Sequence, residues 1–216
     1  MSDDDDFERI PTGITELDRI IDGGFIKGSV IALVSPPDTQ TEVLLEEISD
    51  HNPTVLFSTL RSEPAVTDSY EKHGVGVDDE FRVKFVGGDN SFNKINQGVD
   101  QIAGAVSTVI VDQMNPIERE YPYQKYAEKY REMVDSVTGT DTITILNCTQ
   151  GEKPPTLRDL TLSLADVVVN ISREISGGDI TIRLSVPKYR GGEALAETIK
   201  LEVSDSVAVD TSRDIA

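Results

Sequence analysis

One stretch of this 216-residue chain has the setting that phosphate chemistry requires. Ser35-Pro36-Pro37-Asp38-Thr39-Gln40-Thr41-Glu42 lies between an apolar run, Val30-Ile31-Ala32-Leu33, and a helix-like segment, Val43-Leu44-Leu45. A strand, a short loop and a helix form the frame of a phosphate loop, whose working pattern is G-x-x-x-x-G-K-[ST]. Its glycines let backbone N–H groups close on the phosphates, its lysine neutralises them, and its hydroxyl holds magnesium. Here the four defining places hold Ser35, Gln40, Thr41 and Glu42. Sliding the register supplies no lysine, because none occurs between Lys27 and Lys72. Glu42 would repel phosphate, although a carboxylate there could hold a cation without nucleotide. Taken by itself, the stretch reads as an ordinary strand-to-helix turn.

The elements that must position this loop follow from apolar periodicity. Thr12-Gly13 leads into Ile14, Leu17, Ile20 and Ile21, the pattern of a short amphipathic helix closed by Gly23-Gly24. Apolar runs recur at 29–34, 54–60, 82–86, 108–112, 142–147 and 167–171, with helix-like segments at 41–49, 65–73, 93–105 and 123–137. Strands alternating with helices predict an α/β fold with a mostly parallel sheet covered on both faces. Residues 179–186 and 196–203 alternate like antiparallel strands, with Gly177-Gly178 as a hairpin turn and Gly191-Gly192 as a second loop. The expected organisation is an acidic, disordered arm over 1–9, one domain over 10–205 and a flexible tail over 206–216.

The segment ahead of the loop strengthens the case. Thr12-Gly13, Leu17-Asp18, Gly23-Gly24 and Gly28-Ser29 occur in the order T-G-x-x-x-L-D, G-G, x-x-G-S. This resembles the entry segment of the KaiC/RadA family of RecA-superfamily ATPases, and Pro36-Pro37 is similar to that family's loop. The resemblance implies a RecA-like sheet with antiparallel C-terminal strands and extends, more thinly, to about Val203. Val55 to Leu60 resembles the family's second core strand, after which paired catalytic glutamates precede a proline. Those places hold Arg61 and Ser62 here, and Glu63 would serve as base only if the alignment slipped by one. Val109-Ile110-Val111-Asp112 resembles Walker B, whose aspartate reaches magnesium, although acids often end buried strands without any metal. Lys188-Tyr189-Arg190-Gly191 resembles the K-x-R-G segment, which in the family reaches a neighbouring subunit's nucleotide. On their own, these residues read as a basic hairpin tip.

Composition bounds the remaining readings. The 39 acidic residues against 20 basic ones give a net charge of −19. Such a surface repels nucleic acid at ordinary salt, and it suits molar salt, where screening acts over about 3 Å. With the resemblance, this predicts a halophilic archaeal host and a cytoplasmic protein without membrane insertion. Cys148 is the single cysteine, a small buried hydrophobe by its setting, and with only His51 and His73 no zinc site follows. Tyr121, Tyr123, Tyr126 and Tyr130 could form a partner surface, or pack against the sheet. The leading expectation is a catalytically inactive RecA/KaiC-like protein without cofactor or metal, acting as a regulatory, sensor or scaffold subunit. Its partners would be proteins, an active KaiC/RadA-like ATPase among them, in a homo- or hetero-oligomer, and not nucleic acid. Lys188 and Arg190 would then act in trans. The alternative is an ATP-binding ATPase with magnesium and a non-standard loop, linked to signalling, transcription regulation or recombination.

Overall fold

Thr12 and Asp18 are joined before the main sheet begins: the Asp18 carboxylate accepts both the backbone N–H of Thr12 (2.7 Å) and its hydroxyl (2.8 Å). That clasp folds the chain into α1 (Thr15–Ile20), which buries Leu17. It sits beside a two-stranded ribbon of β1 (Arg9–Ile10) and β2 (Phe25–Ile26). Gly24 has φ +118°, and a Cβ there would stand 2.1 Å from the Ile10 carbonyl oxygen. Only glycine fits both the left-handed backbone and that approach. The Thr, Leu, Asp and Gly positions of the entry segment are thus packing devices.

The computed structural model describes residues 7–76, 78, 80–176, 179–195, 197–204 and 206–210. The main-sheet strands are β3 (Val30–Ser35), β4 (Thr54–Ser58), β5 (Phe81–Phe85), β6 (Thr108–Asp112), β7 (Ile143–Thr149), β8 (Val167–Ser176), β9 (Asp179–Tyr189), β10 (Ile199–Val203) and β11 (Val207–Val209). They run in the order β11-β10-β9-β8-β3-β7-β6-β4-β5. From β8 to β5 neighbouring strands are parallel, and β9 to β11 continue the sheet antiparallel. The expected α/β sheet with antiparallel C-terminal strands is therefore present.

Helices cover both faces, so β3 is buried throughout and reads as a continuous apolar run. Ile31 and Leu33 join α1, α2 (Thr41–His51) and α3 (Glu63–Lys72) in one core. Val30 and Val34 join a second core with α4 (Ser91–Ile102), α5 (Asn115–Glu120) and α6 (Tyr123–Val137). The chain leaves β3 for β4 on one side and later returns through β7 to β8 on the other. This reversal makes a topological switch point at the carboxyl end of β3, where open α/β sheets place ligands.

Particular expectations need correction. α3 begins at Glu63, two residues ahead of the expected start, because Pro64 is compatible with a helix's first turn. Two short helices, α5 and α7 (Arg158–Leu164), carried too little helical periodicity to read. Tyr126 and Tyr130 are fully buried, so the four-tyrosine partner surface does not form, although Tyr123 is 62 % exposed. The expected tail contains β11 at Val207–Val209, which pairs with β10, so the sheet continues past residue 205. The Gly177-Gly178 turn, most of the acidic arm (1–6) and residues 211–216 lie outside the described residues. Among the described residues, no helix is long and apolar enough to cross a membrane.

Candidate functional site

The stretch Ser35–Glu42 occupies the switch point. Ser35 ends β3, is buried, and its carbonyl accepts the Gln150 N–H at 2.8 Å. Pro36 and Pro37 follow, and the Thr39 hydroxyl donates back to the Pro36 carbonyl at 2.8 Å, tightening the turn. With the Thr39 proton directed to Pro36, the Thr41 hydroxyl, 3.0 Å away, donates to the Thr39 oxygen. Gln40 precedes the first residue of α2 in left-handed backbone, φ +48° and ψ +40°. That conformation costs a non-glycine residue about 1–2 kcal/mol. The place where a phosphate loop carries its second glycine thus keeps a glycine-like backbone with a glutamine on it.

Charge at the loop differs in kind from a phosphate cradle. The Asp38 carboxylate lies 2.6 Å from the Arg173 guanidinium on β8, a contact between half-exposed groups. Beside it a groove of about 510 Å³ runs along β8 to β10, lined by Asp38, Thr39, Gln40, Arg173, Ile182 and Lys200 among others. Glu42 is exposed on the first turn of α2. Asp112 ends β6, where the Asn147 amide on β7 donates to its Oδ1 at 2.7 Å. Burial raises the Asp112 carboxyl above its ordinary value. The Asn147 hydrogen bond and Arg61 oppose that shift, and Glu42 adds to it. Asp112 and Glu42 therefore share one electrostatic neighbourhood.

The residues after β4 are engaged elsewhere. Arg61 Nη2 donates to the Ala65 carbonyl at 2.7 Å, and its backbone is tied to the Ser58 hydroxyl. Glu63, the one acid that a slipped alignment offers as a base, accepts the Phe85 N–H at 2.8 Å and so caps the edge strand β5.

Lys188 and Arg190 are not brought to this loop. Lys188 stands opposite Val168, which stands opposite Ala32, in the amino-terminal half of β3. Lys188 Nζ donates to the Leu162 and Ser163 carbonyls, both at 2.9 Å, at the end of α7. Arg190 pairs with Asp166 at 3.0 Å and donates to the Ser163 carbonyl. Cations at a helix C-terminus satisfy its last carbonyls, so this segment caps α7 and is no free hairpin tip. Between them the Tyr189 hydroxyl donates to the Gly24 carbonyl at 2.7 Å, joining the K-x-R-G-like segment to the entry segment.

Two members of the site were not legible beforehand. Asn147 sits in an apolar strand, and only the β6–β7 register sets it opposite Asp112. Its Oδ1 is buried without a hydrogen-bond partner. Arg173 meets Asp38 across 135 sequence positions, and no local pattern announces that pair.

The profile of a family of unknown function (DUF7125) matches residues 9–216. No curated protein matches the chain. Among solved structures, the KaiC-like protein PH0186 from the hyperthermophilic archaeon Pyrococcus horikoshii OT3 superposes with a TM-score of 0.73 and 16 % identity, over 94 % of this chain and 99 % of that one. The likeness extends to the fold.

Proposed function

The chain belongs to the family of unknown function DUF7125, and from that premise we propose that it is a non-hydrolysing KaiC/RadA-like regulatory, sensor or scaffold subunit. The reading rests on the content of the β3–α2 loop. At the switch point of a KaiC-like fold there is no lysine, both threonine hydroxyls are engaged with each other, and Asp38 presents a carboxylate held by Arg173. The nucleotide and magnesium implied by the fold family do not fit this loop. Phosphate would meet Asp38 and Glu42 with no lysine in the loop to offset its charge, and the nearby Arg173 is already paired with Asp38. The place of the general base is held by Arg61 and Ser62, and Glu63 is spent on β5.

Titrating fluorescent ATP with magnesium in molar salt tests the reading. No saturable binding below about 1 mM is expected; a low-micromolar Kd would overturn it. A second reading, nucleotide held in an altered way, draws on the groove between the loop and the C-terminal strands. The same titration, repeated with Arg173→Ala, decides whether that groove takes nucleotide. Under the leading reading Lys188 and Arg190 would serve a neighbouring ATPase, where a cation supplied in trans can be worth on the order of 10³ in rate. Their replacement by alanine should lower that ATPase in a reconstituted mixture; an unchanged rate removes the trans role.

A further inference from the structure

Glu46 is a buried acid that the site does not use. It lies on α2, one turn behind Glu42, and the residue is only 2 % exposed. Neither carboxylate oxygen has a well-directed hydrogen bond. Yet Oε2 is 3.0 Å from Nδ1 of His73, at the end of α3. The distance is that of an ion pair while the direction is not that of a hydrogen bond, because Nδ1 also faces the Ser69 carbonyl at 3.0 Å. One proton cannot serve both acceptors well. The two groups border a cavity of about 40 Å³ with Val43, Glu47, Asp50 and Val75.

A carboxylate buried without hydrogen bonds is costly unless an opposite charge faces it or it takes up a proton. Imidazole is the side chain that changes charge between about pH 5 and 8. We propose that Glu46 and His73 form a proton-operated latch, which ties the helix behind the loop to the end of α3 in mild acid and loosens it in mild alkali. The titratable groups facing the pair are Glu42, Glu47 and Asp50 on α2, Tyr70 on α3 and Arg61 ahead of α3. Most are acids, so a proton on the pair relieves repulsion as well as burial. Burial raises the Glu46 carboxyl above its ordinary range, His73 opposes this, and Glu42 adds to it. A carboxyl raised in the folded state contributes stability that is fully present below its unfolded value and is lost as pH rises through the folded one.

With only two histidines in the chain, the test is clean. Thermal unfolding at pH 5.5 and 8.0, at fixed salt, should show a lower Tm at pH 8.0 by about 4 °C or more. Glu46→Gln should flatten that difference, His73→Gln, which removes the group opposing the rise of the Glu46 carboxyl, should move the loss to higher pH, and His51→Gln should leave it as in the parent. Amide exchange, corrected for its intrinsic pH dependence, should place the loosening in residues 41–51 and 70–75. A Glu46→Gln protein that keeps the parental difference, or a His73→Gln protein with the loss at the parental pH, overturns the latch.

Discussion

The Asp38 carboxylate at the tip of the β3–α2 loop lies 2.6 Å from the Arg173 guanidinium on β8. The loop thus meets the neighbouring strand through its own negative charge, where a phosphate loop would present positive charge and backbone donors to a ligand. If chemistry alone has been lost, restoring it should restore binding. The combined change Ser35→Gly, Gln40→Gly, Thr41→Lys and Glu42→Thr supplies the glycines, cation and hydroxyl. We expect saturable ATP–magnesium binding with a Kd at least tenfold lower than the parent's, measured by calorimetry. An unchanged titration from a folded variant would mean that the surroundings also exclude nucleotide.

Gln40 holds a left-handed backbone, φ +48°. Gln40→Gly removes a penalty of about 1–2 kcal/mol and restores roughly 0.5–1 kcal/mol of chain entropy to be lost on folding. The net expectation is a gain of between about 0 and 1.5 kcal/mol, or a Tm rise of up to about 3–6 °C. Gln40→Val, β-branched in the same backbone, should lower Tm. Scanning calorimetry of the two variants side by side checks the sign.

Arg158 and Glu118 form an enclosed ion pair, with side chains 3 % and 0 % exposed and a shortest contact of 2.7 Å. The same guanidinium donates to Asn115 Oδ1 at 2.8 Å, and Thr161 donates to Glu118. The pair fastens α7 to α5 beneath the end of β7. Removing one partner of such a pair typically costs about 3–5 kcal/mol, whereas replacing both by apolar groups can be neutral. Glu118→Leu alone should therefore unfold at much lower urea than Glu118→Leu combined with Arg158→Met. Equal midpoints would show that the pair contributes nothing beyond packing.

Cys148 is fully buried, and burial pushes its thiol up to about 12, with Arg158 opposing and Glu118 adding to the shift. The thiolate is the reactive form. The folded protein should therefore resist iodoacetamide through pH 9 and become modified only in denaturant, as read by mass spectrometry. Rapid labelling of native protein at pH 8 would contradict this environment.

The strand–helix alternation and the place of the loop were legible because both are local. Apolar periodicity reports which faces are buried, and turn residues report where the chain reverses. The entry segment was legible for a related reason. Thr12, Asp18 and Gly24 act within one short segment, residues 10–24, through one shared carboxylate and one close backbone approach. Short helices such as α5 and α7 were lost because NPIERE holds one isoleucine among mostly polar residues and RDLTLSL repeats its leucines with a strand's period of two.

From the sequence alone came the α/β class, the address of the loop, and the absence of lysine and glycine from it. No folding can supply a missing cation within that loop, so this much needed no coordinates. Tertiary structure alone decided what the remaining charges do. It set Asp38 against Arg173, Glu63 against the edge of β5, Lys188 and Arg190 against the end of α7, and Glu46 against His73. Each pairing depends on strand order, register or helix packing that joins distant parts of the chain, and a linear pattern of residue types carries no record of them.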